Sequence, residues 1–301
     1  MYNLTKMELF RLFKSKSTWI ITVISVAFLL MAVIFTNTDL QMMKEESNGI
    51  NNSAEISDSA EFEEKITEQG VTVDEDGVQM NMGIYFDTNY DWIDKDVNIA
   101  EYLITTLRSG VVLLFLTFFT AMFVNGENKH GFVKNIAGRM SFKGNLFLAK
   151  LPAIFVFEIM MFALYYVFSI LFVKIIIGDI DLSVSKSAVK ALLLQLVLHF
   201  AFACVVAMAA AVTRSTAFSA TMGTAFCAGM GTLLWVFINM LVEKWNIAKD
   251  FIVNDYTLVY NIQQVGLSFD FKNTLRIIIV AVMFIAVSSI ISVLTINKRD
   301  I

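Results

Sequence analysis

The chain has 301 residues, of which 57% are hydrophobic and only 17% charged, with 27 Phe, 16 Met and a single Pro. Soluble domains are about a quarter charged, so this composition excludes an ordinary water-soluble core. The formal charge is −4, yet Asn37 to Glu101 holds 17 Asp/Glu against Lys44, Lys65 and Lys95, a charge of −14 that leaves +10 elsewhere. Such segregation marks a membrane protein with one acidic and one basic face.

The elements, in chain order, read as an all-α membrane protein with six transmembrane helices. Residues 1–17 form a basic lead in which Leu4, Met7, Phe10 and Phe13 interleave with Lys6, Arg11 and Lys14. Span one covers 18–36; it is long and has no small-x-small cleavage site, so it reads as retained. Residues 37–101 form the acidic insert. Within it, Asn48 to Ser59 is polar and without apolar period, and reads as flexible. Val71–Val73 and Val78–Met80 flank Asp74–Gly77 as a hairpin. Tyr85, Phe86, Tyr90 and Trp92 suit either an interfacial aromatic belt or a small core.

Spans two to six are expected at 102–125, 151–178, 188–213, 216–242 and 275–296, with a linking segment at 126–150. Residues 243–274 are mildly apolar but hold no 18-residue span, and suggest a short helix lying in or dipping into the outer interface.

Lys/Arg counting sets the orientation. One set of connections carries 12 basic residues, from Lys6 through Lys129, Lys134, Arg139, Lys143, Lys150 and Arg214 to Arg299, with only Glu8, Glu127 and Asp300 as acids. Six alternating spans place both termini on that side. Both are therefore expected in the cytoplasm, and the insert outside.

No catalytic constellation appears. His130 and His199 are too distant to pair on a metal, and no Gly-x-x-x-x-Gly-Lys-Ser/Thr loop is present to hold ATP. Cys204 and Cys227 lie in apolar runs and form no disulfide framework. The basic residues line one membrane face rather than a stripe, so no nucleic-acid partner is expected. Neither a metal nor a cofactor is expected in this chain.

The most informative connection is Asn125 to Arg139, with Pro152 opening span three. A Glu at a span's end, a Gly four residues later and a short basic-apolar stretch suit a docking element. Six spans, cytoplasmic termini, the basic lead, Glu127-x-x-x-Gly131 and a helical excursion before the last span together resemble membrane (permease) subunits of type-2 ATP-binding-cassette (ABC) exporters. That resemblance implies a coupling helix fitting a cleft on each of two partner ATPase subunits, which would hold ATP and Mg. By position, its contacts would be Glu127, Gly131, Phe132, Val133, Lys134 and Ile136, with Phe132 standing where the class often has Thr. It also implies a dimer with a second copy or a similar permease in a bacterial cell membrane, its path walled by spans two and five. The wall residues would be Leu113, Leu116, Phe119, Met122 and Phe123, with Met222, Phe226, Met230 and Leu234. Their Met/Phe character suits an amphipathic or lipid-like cargo, and the acidic outer insert, which would concentrate cations, suits a peptide, including a cationic antimicrobial one.

Ser219, Gly223, Cys227 and Gly231 form a small-residue stripe at four-residue spacing, as do Ala203, Ala207 and Ala211. The family pattern places the first at a dimer seam; packing within the chain is the alternative. Glu158 and His199 lie inside spans three and four. Glu158 suits either a proton or substrate site or a structural pair with Arg214. His199 suits a packing residue hydrogen-bonded near Gln195. Arg108, Lys174, Lys190 and Arg276 are expected to snorkel from the outer ends. The alternative function is a membrane sensor or assembly factor with an acidic ectodomain and no ATPase. A secondary transporter would require more intramembrane charge.

Overall fold

The computed structural model describes residues 2–52, 71–73, 79–81, 88–93, 95–126, 142–231, 237–238, 240–241, 253–267 and 271–298. Helix dominates. Helix α1 (Tyr2–Lys14) is separated at Ser15 from α2 (Lys16–Asn52). Strands β1 (Val71–Val73) and β2 (Gln79–Asn81) pair antiparallel, as the hairpin pattern predicts. A 3-10 turn (Tyr90–Ile93) leads to β3 (Val97–Asn98), α3 (Ile99–Arg108) and α4 (Val111–Asn125). Then come the short α5 (Asn145–Leu148), α6 (Lys150–Ile176), β4 (Ile180–Asp181), α7 (Lys186–Thr213) and α8 (Thr216–Cys227). A second 3-10 turn (Val253–Tyr256), α9 (Leu258–Gln264) and α10 (Phe271–Lys298) complete the described chain.

Four stretches are long and apolar enough to cross a membrane: Lys16–Glu45, Asn145–Ile176, Lys186–Thr213 and Asn273–Lys298. The pair α3 and α4 meets the same criterion as one unit bent by 58°. Among the described residues there are thus four such spans, or five, where the apolar runs predict six. Span two is broken, because Gly110 takes the left-handed region (φ 82) that a Cβ disfavours. Span five is described as helix only from Thr216 to Cys227, and Gly229 (φ 81) follows its end. The first helix continues well past residue 36 into the acidic insert, through part of the stretch read as flexible.

Side-chain caps fix several starts. The Ser185 hydroxyl accepts from Ala188 N at 3.0 Å and the Ser215 hydroxyl from Phe218 N at 3.1 Å. Between α7 and α8 the chain reverses on Arg214, the one non-glycine with positive φ (54°) among the described residues.

Helix α7 is the central post. Its apolar window is 61% buried, against 22–33% for the other three spans. It packs against α3, α4, α6, α8, α9 and α10. Helix α4 is a second post, touching α2, α6, α7 and α8. Phe119 and Phe157 stack at 3.6 Å where α4 meets α6. Trp92 is 3% exposed and packs beside Tyr102, 5.9 Å between ring centroids, so it belongs to the core rather than a belt.

The Ser219, Gly223, Cys227 and Gly231 stripe is buried within the chain. A Cβ on Gly223 would lie 2.4 Å from Thr117 Cγ2 and 3.1 Å from Val206 Cγ2. The stripe lets α8 approach α4 and α7 closely, so the dimer-seam expectation does not hold for these side chains. Ala203, Ala207 and Ala211 are likewise buried. Gly223→Ala is expected to lower stability by about 1–3 kcal/mol through overpacking. Thermal unfolding in detergent measures this, and adding Thr117→Ala should recover most of the loss.

Candidate functional site

The bundle has a terminal end, where α1 lies and α10 finishes, and a distal end carrying α3 and α9. At the terminal end α4 stops at Asn125, and the last carbonyls of any helix lack an intrahelical donor. Here long cations supply donors. Arg11 Nη2 donates to Phe123 O at 2.8 Å, pairs with Glu8 Oε2 at 2.9 Å, and its guanidinium sits 4.1 Å from the Phe123 ring centroid. Lys150 Nζ, at the start of α6, donates to Val124 O at 2.9 Å. Positive charge at a helix C-terminus is also favoured by the helix dipole. Glu8 and Leu12 press α1 onto the bundle, at 1% and 0% exposure.

The returning chain is fixed too. Gly144 N donates to Asn297 Oδ1 at 2.8 Å, and a Cβ there would lie 2.7 Å from Val293 Cγ1. The segment between residues 126 and 142 therefore leaves and re-enters through a clamped base made of α1, α4, α6 and α10. Glu127, Gly131, Phe132, Val133, Lys134 and Ile136 lie outside the described residues. Arg11 and Lys150 were legible only as topology charges; that each is a long cation near a helix end was the available signal.

The residues expected to wall a path divide into two faces. Leu113, Leu116, Phe119 and Phe123 are buried in the chain's own core, because α4 is surrounded on most sides. The open strip of α4 carries Phe118 and Met122, at 37% and 42% exposure, with Leu114 half-buried. On α8, Met222 and Phe226 are half-buried and Met230 beyond its end is 60% exposed. Leu234 lies outside the described residues.

Glu158 is fully buried, and neither carboxyl oxygen has a hydrogen-bond partner among the described residues. Arg214 stands exposed and forms no pair with it, which corrects that expectation. His199 Nδ1–H donates to Gln195 O at 2.9 Å, the ring lies edge-on to Phe162 at 5.3 Å, and Nε2 has no partner among the described residues. The Gln195 side chain points elsewhere, donating to Ile262 O at 2.8 Å and Val265 O at 3.2 Å.

Those two bonds dock α9 at the distal end. Arg108 Nε adds a third, to Gln263 O at 2.6 Å. Arg276 pairs with Asp255, and Asn261 Nδ2 donates to Asp255 O at 2.9 Å. Arg108 and Arg276 are thus structural ties rather than snorkelling charges. The expected short helix before the last span is α9, with Leu258, Ile262 and Val265 buried.

The distal end also holds a strap. Strands β3 and β4 pair in parallel, Val97 with Ile180 and Asn98 with Asp181. Asn98 is its hub. Its Oδ1 accepts from Ala100 N and Glu101 N at 3.0 and 3.1 Å, starting α3. Its Nδ2 donates to Asp181 Oδ2 at 2.7 Å and Ser183 O at 2.9 Å. Bonds from Ser183 and then Asn98 hold the Asp181 carboxyl below the usual carboxylate range.

No protein-family model matches the chain, and no curated protein matches it.

The clamped base yields one expectation. Arg11→Ala removes the Phe123 O donor and strips buried Glu8 of a cation, costing about 2–4 kcal/mol of stability. Thermal unfolding should show Arg11→Ala to be worse than the combined Glu8→Gln/Arg11→Met change, which leaves no buried charge behind.

Proposed function

We propose that the chain is the permease subunit of an ABC exporter, working with two separate ATPase subunits that bind ATP and Mg, and with a second permease copy. The observation that carries this reading is the clamped base. A segment that docks an ATPase must pass force to the spans without melting the helix ends it joins. Arg11 and Lys150 bind the last carbonyls of α4, and Asn297 ties the return at Gly144. A push on Glu127 to Ile136 would then move α1, α4 and the start of α6 as one piece. In this reading Phe118 and Met122 of α4, with Met222, Phe226 and Met230, face the path or the second copy. Their adaptable Met/Phe surface suits a peptide or amphipathic antimicrobial cargo. The termini would be cytoplasmic in a bacterial cell membrane.

Purification of the tagged chain from its native host, with any co-purifying ATPase subunit identified, tests this. The two should elute together, and the complex should hydrolyse ATP. Glu127→Ala or Phe132→Ala should cut hydrolysis and export about tenfold, a coupling loss near 1.4 kcal/mol. Isolation without any ATPase, together with unimpaired export in Glu127→Ala cells, would favour the sensor or assembly-factor reading.

A further inference from the structure

The clamped base makes no use of Glu158. This residue lies about 12 Å into α6 at helical rise. It is 0% exposed, and neither oxygen has a hydrogen-bond partner among the described residues. From α7 the main chain at Phe200 and the Cys204 thiol face it, and neither closes a hydrogen bond with it. His199 belongs to the same seam: its ring meets Phe162, one turn past Glu158 on α6, and its Nε2 is equally unmet among the described residues.

No neighbour supplies a cation. Helices α4 and α5 and residues 17–38 of α2 pack on α6 and contain no titratable side chain. On α1, Arg11 is engaged with Phe123 O and Glu8. On α6 itself, Lys150 is engaged with Val124 O and Tyr165 with Ser25 O. Helix α3 brings Glu101, Tyr102 and Arg108 only at the distal end, where Arg108 is tied to Gln263 O, and β4 brings Asp181, tied to Asn98. An ionised carboxylate in this setting would cost several kcal/mol with no opposite charge to offset it. The shut seam therefore holds Glu158 as the neutral acid. Even so, its O–H has no acceptor, an unmade bond that costs about 1–3 kcal/mol, and His199 Nε2 adds a second. Rings hold the seam shut, Phe155 against Phe200 at 5.0 Å and Phe162 against His199 at 5.3 Å. Its own polar groups oppose them, because both would gain water if α6 parted from α7.

We propose that Glu158 is a proton-operated latch on the α6–α7 seam, protonated while the seam is shut. When the seam opens, the acid gives its proton to water and remains as a hydrated carboxylate. The shut form binds the proton more tightly, so rising pH favours the open form. The latch stands on the geometry of the seam; only a part in moving cargo rests on the permease reading.

Cys204 is a native reporter, fully buried on this seam, and Cys227, buried against Thr117 between α4 and α8, is an internal control. The full chain in lipid nanodiscs, without any ATPase, is labelled with N-methylmaleimide between about pH 5 and 8, above the ordinary glutamic acid range. Mass spectrometry gives the rate at each cysteine. Dividing the native rate by that of Glu158→Gln at the same pH cancels the thiol's own pH dependence. The Cys204 ratio should rise at least about tenfold across this range, and the Cys227 ratio should stay flat. Glu158→Met as the reference should give the same rise, and His199→Gln should retain it. An infrared carboxylic-acid band at about pH 7 should be present in the native chain and missing from Glu158→Gln. A flat Cys204 ratio with either reference, or no such band, overturns the latch. A rise shared by Cys227 marks unfolding of the whole bundle and overturns it too. Loss of the rise in His199→Gln overturns the assignment to Glu158.

Discussion

A helix that stops in or beside an apolar medium leaves carbonyl oxygens that water cannot reach, and each needs a donor from elsewhere in the chain. Two helix ends here meet that demand in the same manner. At the terminal end, Arg11 and Lys150 serve Phe123 O and Val124 O of α4. At the distal end, Arg108 and Gln195 serve Ile262 O and Gln263 O of α9 and Val265 O just past its end. Each donor comes from a different helix than the acceptor. The bonds that complete a helix end are therefore the same bonds that hold the bundle together, and neither role can be altered alone.

The packing between those ends rests on size contrast. Gly223 admits Thr117 and Val206 at backbone range, while Phe119 and Phe157 fill the opposite side of α4. One strip of α4 is left over, carrying Phe118 and Met122 between the neighbours α2 and α8. In any assembly that uses α4, that strip and not the buried Leu113–Phe123 side is the face a neighbour or cargo can reach.

Much of the helical frame was legible in the sequence. Long apolar runs bounded by Gly, Ser and charge place α6, α7 and α10 within a few residues of the observed ends. At α2 the apolar run ends at residue 36, but the helix does not. Leu40, Gln41, Met42, Met43, Lys44 and Glu45 are strong helix formers, and the helix runs on through them. The break at Gly110 was hidden because Ser109 and Gly110 interrupt a run whose flanks remain apolar. The faces of α4 were not legible at all: a helix apolar on every side has no periodic signal to say which side meets protein. Lys150 and Arg11 were read as topology signals when they are also caps. Glu158 is buried inside its span, but Arg214, the cation expected to pair with it from the basic side, stands exposed on a left-handed turn.

The parallel pairing of β3 with β4 also imposes an order in time. Its hub bonds join residues 83 positions apart, Asn98 to Asp181, with α3, α4, α5 and α6 between them. During synthesis the first strand emerges long before its partner exists. The strap can close only once the intervening helices have been inserted and the chain has returned to the side where Asn98 waits. Until then Val97 and Asn98 form an unfastened strand, so the strap is among the last parts of the molecule to acquire its shape. A defect in inserting α6 would thus surface there, far from its origin.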